Sequence, residues 1–236
     1  MNNLTGNGAN NAQSKILVLG GTGGTGRLIV SQALERGQQV TALVRSPEKA
    51  SDLKGAKLIV GDVRDEKVLR EALKDQDAVV SALGTPASPF REVTLLSTAT
   101  RALVGSMKAE HVSRLVCITG MGAGDSSGHG GFLFDNVIFP LLLKKVYADK
   151  NRQETIVRDS GLDWILVRPS VLNDKPGPRV GPGPGGSFRL PWRRHIASRR
   201  CDVRLGSTAG RCLAASFPVD HMVTTVCRIY PRSSTI

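Results

Sequence analysis

A chain of 236 residues with 40% hydrophobic side chains suits one α/β domain with at most a small second lobe, and aromatics at 4% point to an aliphatic core. The net charge of +12 raises the question of a nucleic-acid partner, but residues 1–174 carry 21 basic against 18 acidic side chains while residues 175–236 carry 11 against 2, and no nucleic-acid-binding motif accompanies the excess. Four cysteines, at 117, 201, 212 and 227, lack C-x-x-C spacing and a matching histidine pair, so neither a metal site nor a disulfide framework is indicated.

Residues 1–14 have no basic cluster and no apolar stretch, and read as a flexible leader rather than a targeting peptide. From there, apolar β-branched runs alternate with amphipathic ones. Strands are predicted at Lys15–Leu19, Gln39–Val44, Lys57–Val60, Ala78–Leu83, Leu115–Thr119 and Trp164–Val167. Helices are predicted at about 25–36, 65–74, 91–110 and 132–160, with a short one around 46–54. The alternation is that of successive βαβ units, so residues 15–174 are expected to form a Rossmann-type doubly wound parallel sheet. The apolar stretch at 130–143 is too short to cross a bilayer and is interrupted by Asp135, Asn136 and Pro140, which leaves a cytoplasmic protein as the expectation.

Between the first strand and first helix lies Gly20-Gly21-Thr22-Gly23-Gly24-Thr25-Gly26. Gly20, Gly23 and Gly26 satisfy G-x-x-G-x-x-G, and Gly21, Gly23 and Gly26 satisfy G-x-G-x-x-G. Such a loop lets backbone approach a pyrophosphate, which then meets the N–H groups at the positive end of a helix. Thr22 and Thr25 add hydroxyl donors. The second strand ends in Arg45 rather than in the acidic residue that would hold a ribose 2′-hydroxyl, which favours NADP over NAD. Lys49 or Arg27 would support Arg45; the alternative is that Arg45 is a solvated surface residue. Asp62 is placed to accept from an adenine amino group, with Val63 beside the ring, or else simply caps its loop.

After the fifth strand, the glycine-rich stretch 120–131 suits a lid, in which His129 is a candidate proton donor or an exposed loop histidine. Residues 132–143 either wall a hydrophobic pocket or form the buried face of a helix kinked at Pro140. Beyond Asp174 the composition changes abruptly. Residues 175–236 begin with a proline- and glycine-rich run unsuited to helix or central strand, and contain one lysine, ten arginines and no glutamate. An irregular tail is expected there, and an out-of-frame translation is favoured over a basic extension.

The motifs GGTGGTG, LVR, GDVRD, SALG, VCITG and DKNRQETIVRDSGLDWILVRPSVL together resemble the atypical short-chain dehydrogenase/reductases, in the NmrA-like and biliverdin/flavin-reductase-like branch. The resemblance runs from about Lys15 to Asn173. It implies NAD(P) across the C-terminal edge of the sheet, with Ala82 and Gly84 beside the ribose and the backbone of Pro169 to Leu172 bordering the nicotinamide. Catalytic members of the wider superfamily place a tyrosine four residues before a lysine, with a hydroxyl after the fifth strand. Here Lys150 aligns with the lysine and Thr119 with the hydroxyl, but Val146 stands at the tyrosine position and Tyr147 is one residue late. The expectation is an NADPH-dependent reductase of a small carbonyl, quinone or conjugated substrate. The alternatives are a non-catalytic NADP-binding sensor or assembly protein with a protein partner, then a sugar-nucleotide epimerase or dehydratase.

Overall fold

The computed structural model describes residues 13–86, 92–120, 144–169, 201–205 and 208–215. In chain order its elements are β1 (Lys15–Leu19), α1 (Gly24–Glu35), β2 (Gln39–Val44), a short 3-10 turn (Pro47–Ala50), β3 (Lys57–Val60), α2 (Glu66–Leu73) and β4 (Ala78–Ser81). There follow α3 (Leu95–Ala109), β5 (Arg114–Ile118), α4 (Lys144–Arg158), β6 (Asp163–Pro169), β7 (Cys201–Leu205) and β8 (Thr208–Ala215). The first six strands lie in the order β3-β2-β1-β4-β5-β6, all parallel. The strand order reverses between β1 and β4, and that crevice is where open α/β sheets hold ligands.

Each central strand buries both faces, which is why its sequence reads as a continuous apolar run. In β1, Ile16 and Val18 join Ile29, Val30 and Ala33 of α1 in one core. Leu17 and Leu19 face the other, with Leu69 and Leu73 of α2 and Leu103 and Met107 of α3. Burying one such side chain stabilises the fold by roughly 1.5–3 kcal/mol. Helix ends follow local chemistry. The carboxylate of Asp65 caps α2 by accepting from the backbone N–H of Lys67 at 2.9 Å and of Val68 at 3.4 Å.

The predicted strands recur with their ends shifted at β4, β5 and β6, where the run stops at Ser81 and starts at Arg114 and Asp163. The larger difference is the tail, where two strands stand in place of purely irregular chain. In β8, Arg211–Ala215 pairs in parallel with Ile165–Pro169 of β6, and β7 pairs antiparallel with β8. The reason is backbone pairing: a strand at a sheet edge leaves N–H and C=O groups free, and any extended segment can take them. Side-chain periodicity, which is weak here, does not report that capacity. Among the described residues no helix is long and apolar enough to cross a membrane.

Candidate cofactor site

The loop leaving β1 turns sharply at Gly20, whose φ of +77° favours glycine. A Cβ there would lie 2.5 Å from the carbonyl oxygen of Ala82, so the loop is pressed against the end of β4. A Cβ on Gly26 would fall 2.1 Å from the Gly20 carbonyl oxygen, which makes glycine the residue that lets α1 sit down on the loop. Gly24 differs: nothing lies within 4 Å of its would-be Cβ. This open backbone, at the first residue of a helix capped by Gly23 with no acidic residue in its first turn, is a cradle suited to a pyrophosphate.

A cleft of about 480 Å³ starts from this cradle, and Gly20, Thr22, Gly23, Thr25 and Gly26 all line it. At one end stand Arg45 and Val63; toward the other come Ala82 and Gly84, then Thr119 and Lys150. The expected glycines and threonines therefore meet Arg45 and Lys150 in one groove at the carboxyl ends of β1, β2, β4 and β5. Leu43, Leu83, Leu95 and Ile118 also line it. Sequence reasoning did not single these out, because apolar residues at strand ends look like ordinary core.

At the Arg45 end, two candidates are already engaged. The guanidinium of Arg27 donates to the carbonyl oxygens of Thr22 at 3.0 Å and Lys49 at 2.9 Å, and pairs with Asp52 at 2.7 Å. Arg27 thus ties the glycine loop to the 3-10 turn after Arg45, and it does not line the cleft. Asp62 accepts from the side chain of Arg64 at 2.9 and 2.6 Å and from its backbone N–H at 2.9 Å. Those hydrogen bonds hold the Asp62 carboxyl down to about 2. Val63 beside it lines the cleft; Asp62 does not.

At the other end, α4 presents Lys150 and Glu154 one turn apart, and together they grip Thr119. The ammonium of Lys150 donates to the Thr119 carbonyl at 2.8 Å, and the Thr119 hydroxyl donates to Glu154 Oε1 at 2.8 Å. Glu154 is also paired with Arg168, whose Nε donates to Oε1 at 2.9 Å and whose second nitrogen bonds Oε2. Burial lowers the Lys150 pKa, opposed by the charge of Glu154. Tyr147 lies with its ring centroid 5.4 Å from the Lys150 ammonium. Its hydroxyl would be 3.7 Å from a Cβ on Gly120, where Lys150 Nζ would be 2.9 Å away, so both heads approach the end of β5. Burial raises the Tyr147 pKa. Val146, in the usual tyrosine position, is buried.

Glu154 and Arg168 were not among the residues singled out from the sequence. The available signal was the i, i+4 spacing of Lys150 and Glu154, together with a charged residue inside the apolar run of β6. Pro169 ends β6 as a buried residue and is not among the cleft residues. His129, residues 132–143 and Leu172 lie outside the described residues.

The NAD(P)H-binding family model matches residues 20–191. The chain is 36% identical over 162 residues to the photosystem II assembly factor Ycf39 of Cyanophora paradoxa, a match covering 65% of the chain and 44% of that protein. It is 28% identical over 187 residues to the chloroplastic divinyl chlorophyllide a 8-vinyl-reductase of Cucumis sativus, covering 72% of the chain and 42% of that protein. The chain thus spans less than half the length of these two relatives. Among solved structures, a short-chain dehydrogenase/reductase of Veillonella parvula in complex with NADP superposes with a TM-score of 0.61 at 14% identity, covering 92% of this chain and 86% of that one. The glycine cradle, the strand order and the family match agree: this chain belongs to the NAD(P)H-binding family, and its Rossmann fold is like that of the short-chain dehydrogenase/reductase of known structure.

Proposed function

We propose that the chain binds NADP in preference to NAD and serves as an NADPH-dependent reductase of a small carbonyl, quinone or conjugated compound. The observation that carries this reading is the single cleft joining Arg45, the glycine cradle and Lys150. Arg45 offers a planar, charged donor set where a 2′-phosphate would lie, and the nearby Asp62 carboxylate is held by Arg64. Gly23, Gly24 and Thr25 would hold the pyrophosphate, and Lys150 would hold the ribose at the far end. Bound there, a reduced nicotinamide supplies hydride. The chain's own part is orientation: Thr119 and Lys150 fix one wall, and Leu95 and Ile118 keep the reacting end apolar.

Stopped-flow oxidation of NADPH against quinones, aldehydes and conjugated tetrapyrroles tests the reading. Turnover of at least one class supports it, and tight NADPH binding with none turned over sinks it.

A second reading, a non-catalytic NADP sensor or assembly protein, has a specific observation behind it. The Thr119 hydroxyl spends its only proton on Glu154, and burial raises the Tyr147 pKa, so neither is poised to give a proton to a substrate. The similarity to an assembly factor accords with this. Stable capture of a partner protein only in the presence of NADP would favour it.

A further inference from the structure

We propose that the buried Glu154–Arg168 ion pair is a positioning element for the nicotinamide end of the cleft, acting through Thr119 on Lys150. The inference rests on the reading that NADP occupies that cleft. Glu154 is 2% exposed and Arg168 4%, and they belong to different elements, α4 and β6. Replacing a buried ion pair with well-packed apolar side chains is often neutral or even stabilising, so stability alone is a weak reason for one here. Its location supplies a better one. Thr119 is fixed at each of its polar atoms: its N–H donates to the carbonyl of Val167 at 2.9 Å, its hydroxyl to Glu154 at 2.8 Å, and its carbonyl accepts from Lys150 at 2.8 Å.

Of these partners, Val167 belongs to β6 beside Arg168, and Lys150 and Glu154 share one face of α4. Arg168 holds Glu154 at both oxygens, and Arg158 adds a second guanidinium 3.7 Å away. The pair thereby locks the angle between α4 and the end of β5, and with it the direction of the Lys150 ammonium. Glu154 and Arg168 do not line the cleft, so they act through Thr119 and Lys150.

The test uses the whole chain and two ligands: NADPH, which reaches the Lys150 end, and 2′,5′-ADP, which ends at the pyrophosphate side. Two variants are compared with the unaltered protein. Thr119→Val removes only the hydroxyl link and keeps the volume, while the paired change Glu154→Met with Arg168→Met replaces the charges with apolar chains. Each is expected to bind NADPH about tenfold more weakly and 2′,5′-ADP unchanged, as loss of one well-aimed charged hydrogen bond predicts. Unchanged NADPH affinity in Thr119→Val overturns the proposal. Equal weakening toward both ligands overturns it too, because that is the mark of a general structural role. Should the paired variant fail to fold, Thr119→Val decides alone. If the unaltered chain binds 2′,5′-ADP but not NADPH, or neither, the underlying cofactor reading fails as well, and the two failures are told apart.

Discussion

Asp149 on α4 closes the start of α3 from outside that helix: its carboxylate accepts from the backbone N–H of Leu96 at 2.8 Å. It also accepts from the N–H of Ser97 at 3.3 Å and from the Ser97 hydroxyl. The helix's own N-cap, Thr94, makes no side-chain cap bond. Asp149 is fully buried, and the guanidinium of Arg152 approaches it at 3.5 Å. One carboxylate therefore satisfies two of the free donors of a helix end and ties α3 to α4.

Removing that carboxylate leaves buried N–H groups without a partner. Asp149→Ala is expected to lower unfolding stability by about 2–4 kcal/mol, and Asp149→Asn by less because the amide oxygen still accepts. Urea denaturation measures both. A loss well under about 1 kcal/mol for the alanine variant would show that water replaces the cap.

Two glycines of the same loop are expected to respond in opposite ways. Gly26→Ala forces a methyl to 2.1 Å from the Gly20 carbonyl oxygen, so it should destabilise the fold by about 2 kcal/mol or more. Gly24→Ala meets nothing within 4 Å, so its melting temperature should hold or rise slightly, since alanine favours helix. Its methyl faces the cradle, however, and NADPH affinity should fall at least about tenfold. Thermal melts and cofactor titrations on both variants check the contrast.

On the proposed reading, Arg45 sets a preference for NADP. Arg45→Asp is expected to weaken NADP binding by about 10- to 100-fold while leaving NAD binding equal or better, because a carboxylate repels a 2′-phosphate and accepts from a 2′-hydroxyl. Isothermal titration with both dinucleotides reads the ratio. No change in that ratio would remove Arg45 from the site.

Cys117 sets an alkaline limit. Burial pushes its thiol from 9.0 up to about 12, with the charge of Glu154 adding to the effect. The sign follows from proton counting: above pH 9 the unfolded thiol loses its proton while the folded one keeps it, so stability falls as pH rises. The decline should begin near pH 9, steepen to at most about 1.4 kcal/mol per pH unit and level off near pH 12. Cys117→Ala should flatten this limb relative to the unaltered chain in denaturant titrations at stepped pH. Parallel curves for the two proteins would refute the assignment.

The sheet was legible because burial on both faces writes itself into sequence as unbroken apolar runs, and the ends of β1, β2 and β3 fall where those runs stop. The glycine loop was legible for a related reason: Gly20 and Gly26 stand at positions where backbone geometry excludes a Cβ. What sequence left open were choices between partners. Arg27 and Asp62 carry the right chemistry for a cofactor, yet Asp52 and Arg64 lie closer to hand and engage them first.

By itself, then, the sequence determined the alternation of strands and helices, the glycine loop and the location of the crevice, since these depend on local periodicity and on residues adjacent in the chain. Only the tertiary structure decided that the Thr119 hydroxyl donates a hydrogen bond to Glu154, that Arg168 backs that carboxylate and that Asp149 caps a helix 53 residues away. Those are contacts between groups distant in the chain, and their strength comes from removal from water, which no local pattern encodes.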